Sequence, residues 1–157
     1  MGVAGCGKTT LGKRLAQDLG WPFYDGDDFH PKGNVDKMAQ GLALNDQDRL
    51  PWLRALHDLL AGLHGHGILA CSALKQSYRD ILMGGLDGVG LVYLKGGFAL
   101  LEARLKGRKD HYFKSELLAS QFEVLEEPED AVVVDAGADP DSQSRQVRRA
   151  FRLGPPE

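Results

Sequence analysis

The most constraining feature of this chain is Gly2-Val3-Ala4-Gly5-Cys6-Gly7-Lys8-Thr9, a G-x-x-x-x-G-K-[ST] run that begins at the second residue. Glycines at Gly2, Gly5 and Gly7 let successive backbone N–H groups turn inward and form a concavity for phosphate oxygens. Lys8 reaches the terminal phosphates as a point charge, and the Thr9 hydroxyl can ligate Mg²⁺. Beyond the loop, Leu11, Leu15 and Leu19 share one face and Gly20 is a natural stop. That spacing predicts a helix over 8–19 whose N-terminal dipole also faces the anion. Such a loop hangs from the end of a buried strand, yet only Met1 precedes it here. Either the true start lies further upstream or the innermost strand of the sheet is missing, and its loss would expose unpaired backbone on both of its neighbours.

The rest of the chain reads as one α/β domain spanning 1–157. Its 157 residues, 43% of them hydrophobic, suffice for one substantial core. Apolar runs at 22–25, 68–71, 89–94 and 131–135 are continuous, not alternating, and helical patterns separate them. Helices are predicted over 8–19, 76–83, 98–105, 115–122 and 141–151, with another capped by Asn45 and carrying Leu53, Leu56, Leu60 and Leu63. This alternation predicts a parallel sheet covered on both faces, with four visible strands and a fifth implied before Gly2. A net charge of −3 offers no surface for nucleic acid, and the basic run 145–152 reads as a solvated helix face. No apolar run is long enough to span a bilayer, and Cys6 and Cys71 lack metal-ligand spacing, so a soluble cytoplasmic protein with reduced thiols is expected. Cys6, among N–H dipoles and beside Lys8, is expected to be an oxidisable thiol.

Open α/β sheets bind ligands at strand ends, and three segments place polar groups there. In Asp25-Gly26-Asp27-Asp28-Phe29-His30-Pro31, one carboxylate can face the metal shell while the other accepts a proton from a substrate hydroxyl. In the stretch from Cys71 to Asp80, Lys75 and Arg79 stand one helical turn apart and are expected to face one cavity, with Arg49 and Arg54 adding charge for an anionic, polar molecule. The third segment, 104–113, carries Arg104, Arg108 and Lys109 between two helices. It suits a lid that brings cations to a phosphoryl group, Arg108 foremost.

Taken together, these stretches resemble gluconate kinases. The resemblance is carried by the phosphate loop, Tyr24-Asp25-Gly26-Asp27-Asp28-Phe29-His30-Pro31, and the run from Leu44-Asn45-Asp46 through Arg49-Leu50-Pro51-Trp52-Leu53. Cys71-Ser72-Ala73-Leu74-Lys75 with Tyr78-Arg79-Asp80, Arg108-Lys109-Asp110-His111-Tyr112-Phe113 and Ser120-Gln121-Phe122 continue it, in order, to about Asp135. The resemblance implies a P-loop kinase fold like that of shikimate kinases, a helical lid near 106–122, and a homodimer. The implied reaction is ATP-dependent phosphorylation of D-gluconate at its terminal hydroxyl. Carried over by position, Gly2 to Thr9 with Thr10, Arg104 and Arg108 serve the nucleotide, and Thr9 and Asp25 serve Mg²⁺. Lys8, Asp27 and Arg108 take the catalytic roles, while Asp27, His30, Arg49, Lys75 and Arg79 take the sugar acid. The residues alone leave two alternatives: a kinase for another small anion such as shikimate, and a nucleotide-binding remnant with little activity.

Overall fold

The computed structural model describes residues 1–108 and 115–154. Lys109 and His111, and the middle of the expected lid, lie outside the described residues.

Helix α1 (Lys8–Leu19) follows the phosphate loop, its N-cap Gly7 held at φ 98°, a left-handed conformation that suits glycine. The chain continues through β1 (Phe23–Asp25), a 3₁₀ turn (Gly26–Phe29), α2 (Lys32–Ala39), α3 (Asp46–Ala61), β2 (Ile68–Ala70) and α4 (Gln76–Met83). Then come β3 (Val92–Lys95), α5 (Phe98–Lys106), α6 (Ser115–Val124), β4 (Val132–Asp135) and α7 (Pro140–Ala150). Helix α3 starts as expected at Asn45. The Asn45 side chain accepts from the Asp48 N–H at 2.8 Å, and the Asp48 carboxylate accepts from the Asn45 N–H at 2.9 Å. This reciprocal pair satisfies two of the helix's orphan donors. Among the described residues, no helix is long and apolar enough to cross a membrane.

The strands are parallel, but they form two pairs instead of one sheet. β1 pairs with β2 from Phe23↔Ile68 to Asp25↔Ala70, and β3 pairs with β4 from Val92↔Val132 to Lys95↔Asp135. Met1 and Gly2 run between the pairs. The Met1 nitrogen donates to the Val92 carbonyl at 2.6 Å and its carbonyl accepts from Leu94 N–H at 3.0 Å, while Gly2 N–H donates to Ser72 O at 3.2 Å. Alternate residues thus pair to opposite sides, as in any interior strand. Behind Met1 lies a cavity of about 610 Å³, walled by Ile68 to Ala70 on one side and by Gly90 to Val92 on the other. The strand expected over 89–94 is shorter and shifted, because regular pairing begins only where β4 lies alongside.

Two apolar clusters result. One joins Val3, Cys6, Leu11 and Leu15 to Leu94, Leu101, Leu118 and Val134; the other gathers Trp52, Leu53, Leu56, Cys71 and Leu82. Because all four strands run the same way, their C-terminal ends share an edge with the phosphate loop. That edge is the site.

Candidate active site

The phosphate loop is held from three directions. Val3 and Cys6 are buried beneath it. Gly2, at φ 149°, leaves no room for a side chain, since a Cβ there would stand 2.7 Å from Cys6 Sγ and 2.9 Å from Leu94 O. Ala4 N–H donates to Gln121 Oε1 of α6 at 2.7 Å, which ties the loop to the helix that returns from the expected lid. Gln121 was not among the expected site residues. Its partner lies 117 positions away, so no local pattern announces the contact. Lys8 Nζ donates to the carbonyls of Gly2 at 2.9 Å and Val3 at 3.2 Å, and so lies folded across the loop. Thr9 and Thr10 are exposed at the start of α1.

The acidic segment after β1 meets the loop directly. Thr9 Oγ1 donates to Asp25 Oδ2 at 3.3 Å, and Asp25 Oδ1 accepts from the Asp27 backbone N–H at 3.0 Å. Asp25 therefore caps the 3₁₀ turn while reaching the Thr9 hydroxyl. The Asp27 side chain is exposed and has no hydrogen-bond or ion-pair partner among the described residues. His30 stacks on Trp52 with ring centroids 4.3 Å apart, and Trp52 in turn donates its indole N–H to Gly26 O at 2.7 Å. Burial lowers the His30 pKa, and the nearby Arg49 charge adds to this while Asp27 opposes it. This lowering favours the neutral, hydrogen-bonding form of the His30 ring.

The acceptor-side basic residues divide in a way their spacing did not predict. Lys75 lines a cavity of about 530 Å³ together with Asp46, Arg49, Ser72, Leu74 and Tyr78. Its Nζ is paired with Asp46 at 3.1 Å. Arg79, expected to share that cavity, does not line it and is 1% exposed. Its guanidinium donates to the carbonyls of Ala73 at 2.8 Å, Leu74 at 3.2 Å and Glu126 at 2.8 Å, and to Gln76 Oε1 at 3.0 Å. Arg79 is a brace: it holds Ala73 at φ 45° and fastens the segment after α6 to the floor of the cavity. Losing several charge-assisted bonds to buried carbonyls should cost about 3 kcal/mol. Arg79→Ala is therefore expected to lower the urea midpoint sharply. Intact stability with a raised acceptor KM would instead return Arg79 to the acceptor.

Arg49 makes no ion pair among the described residues; its guanidinium lies 5.6 Å from the Tyr78 ring centroid. Arg104 is exposed in the last turn of α5 and Arg108 is exposed just beyond it. Neither lines the cavity beside Lys75.

Cys6, expected to be oxidisable, is 0% exposed, and burial pushes the Cys71 thiol up to about 11. Iodoacetamide at pH 8 should leave both cysteines of the native protein unmodified and label them only on unfolding. Rapid labelling of the folded chain, read by intact mass, would contradict this burial.

The site joins a phosphate loop to a hydroxyl–carboxylate pair, an uncommitted carboxylate and a cation-lined cavity. The shikimate kinase family profile matches residues 4–147. The thermoresistant gluconokinase of Escherichia coli (strain K12) is 46% identical over 142 residues, covering 86% of this chain and 81% of that one. The chain belongs to the gluconokinase family. A probable gluconokinase of Mus musculus is 48% identical over 148 residues, covering 82% of this chain and 80% of its own length. Among solved structures, a gluconokinase from Sinorhizobium meliloti 1021 superposes with a TM-score of 0.88 at 38% identity, covering 97% of this chain and 89% of that one. As a gluconokinase-family member the chain is an enzyme with the P-loop kinase fold that its sequence predicts. The reading as a shikimate-specific kinase is not favoured: the shikimate kinase profile describes the wider fold, whereas these relatives at 46% and 48% identity are gluconokinases.

Proposed function

We propose that this chain transfers the γ-phosphoryl group of ATP to the terminal hydroxyl of D-gluconate, giving 6-phospho-D-gluconate and ADP. The observation that carries the reading is the division of labour between two carboxylates two residues apart. Asp25 is committed to Thr9 and to the Asp27 backbone, which leaves the Asp27 side chain available for an incoming alcohol. Thr9 Oγ1 and the Asp25 carboxylate are hard oxygen donors of the type Mg²⁺ accepts, and they are the groups that would hold it. A Mg²⁺ held there would supply positive charge against the triphosphate.

The residues then act in a definite order. The loop N–H groups and the α1 N-terminus hold the phosphates, and Lys8 moves from the Gly2 and Val3 carbonyls to the terminal phosphate oxygens. Arg49 takes the gluconate carboxylate, and His30 donates and accepts along the polyol. Asp27 orients the terminal hydroxyl and accepts its proton as the new O–P bond forms and the bond to the β-phosphate bridge breaks. Arg108, with Arg104, meets the charge on the transferring group from the lid side. Proximity and fixed charge, with no covalent intermediate, supply the rate.

A cytoplasmic homodimer belongs to the same proposal, supported by the family resemblance; sedimentation equilibrium tests the dimer. Incubation with ATP, Mg²⁺ and gluconate, with 6-phosphogluconate detected through a coupled dehydrogenase, tests the reaction. Absence of product, or turnover of shikimate at about ten times the gluconate rate, would overturn it.

A further inference from the structure

We propose that Asp46 determines which anions the acceptor cavity admits, by pairing with Lys75 and leaving Arg49 as the lining cation without an ion-pair partner among the described residues. The inference rests on the gluconate reading and adds a selectivity device to it. The cavity of about 530 Å³ is lined by two cations, Arg49 and Lys75, and one carboxylate, Asp46; the other lining residues, Tyr78 and Ser72 among them, are neutral at pH 7. One positive charge remains in excess, which matches an acceptor carrying one carboxylate.

The pairing is built, not incidental. Asp46 is the first residue of α3, fixed by the Asn45–Asp48 capping pair beside it. Lys75 immediately precedes α4, which packs against α3. Across that junction Asp46 accepts from Lys75 Nζ at 3.1 and 3.4 Å and from the Tyr78 hydroxyl at 2.5 Å. These bonds lower the Asp46 pKa, the Tyr78 hydroxyl contributing most and Lys75 next, with the Arg49 charge a smaller contribution. Tyr78 is 8% exposed, so its ring is a rigid platform, with Lys75 Nζ 5.4 Å and the Arg49 guanidinium 5.6 Å from its centroid. Both cations therefore rest against the Tyr78 ring, and of the two Lys75 alone has a counter-ion among the described residues. If Asp46 were neutral, the cavity would present two positive charges in place of one and would favour dianions.

Three six-carbon polyols that differ in terminal charge serve as probes: glucitol, gluconate and glucarate, with none, one and two carboxylates. Glucarate lacks the terminal hydroxyl, so all three are compared by binding, using titration calorimetry on the full chain. The wild type should bind gluconate at least about tenfold more tightly than either of the others. In Asp46→Asn the glucarate-to-gluconate affinity ratio should rise by about tenfold or more, and in the double variant Asp46→Asn/Lys75→Met that gain should vanish. A carboxylate that merely props up the fold would weaken all three ligands together. An unchanged ratio in Asp46→Asn, or a gain that survives loss of the Lys75 charge, overturns the inference. Product assays on the wild type separate the two failures: no 6-phosphogluconate removes the functional reading, whereas product formation with an unchanged ratio removes only the role of Asp46.

Discussion

Lys8→Ala is expected to lower kcat by about 10³-fold or more while the chain stays folded. The ammonium is the only side-chain charge the phosphate loop itself contributes, and in a water-poor site a fixed charge at the transferring oxygens has no substitute. Its structural duty is small by comparison. Two hydrogen bonds to the Gly2 and Val3 carbonyls would be lost, at about 1 kcal/mol each, and alanine is favoured in the first turn of α1. Thermal melting should therefore move by only a few degrees, while the rate collapses. Retained turnover would remove Lys8 from the chemistry, and a collapsed melt would make it a structural residue.

Asp27→Asn is the second large effect, a fall in kcat of about 10²–10⁴ with ATP binding nearly unchanged. The substitution is unusually clean. The contact that anchors Asp25 uses the Asp27 backbone N–H, which asparagine keeps, so the Thr9–Asp25 pair is undisturbed. What disappears is a proton acceptor with no other partner among the described residues. Rate and nucleotide affinity falling together would instead place Asp27 with the nucleotide, and an unaltered rate would dismiss it from both roles.

Much of this site was legible because its parts are local. The phosphate loop, the Asp25–Asp27 pair and the Asn45 cap each lie within one turn or one helix start, where residue type and spacing dictate geometry. The pairing of Lys75 with Arg79 failed for a physical reason. Their spacing puts them on one face only if both are helical, and Lys75 sits at φ −96°, ψ 147°, outside α4. It therefore points to the cavity while Arg79 points to the core. Helix α2 was missed because Pro31, Lys32 and Gly33 advertise a turn. What fixes it is tertiary: Lys37 pairs with Asp48 at 2.7 Å, and Asn34 donates to Asp48 O at 2.8 Å. The Asp46–Tyr78 and Ala4–Gln121 contacts span 32 and 117 positions and belong to the folded chain alone.

The hydrogen bonds of Arg79 carry a mechanical consequence. Arg79 works as a clasp, since it grips Ala73 and Leu74 ahead of α4 and Glu126 beyond α6. Loosening that one side chain therefore frees the wall beside Lys75 and the segment after α6 together.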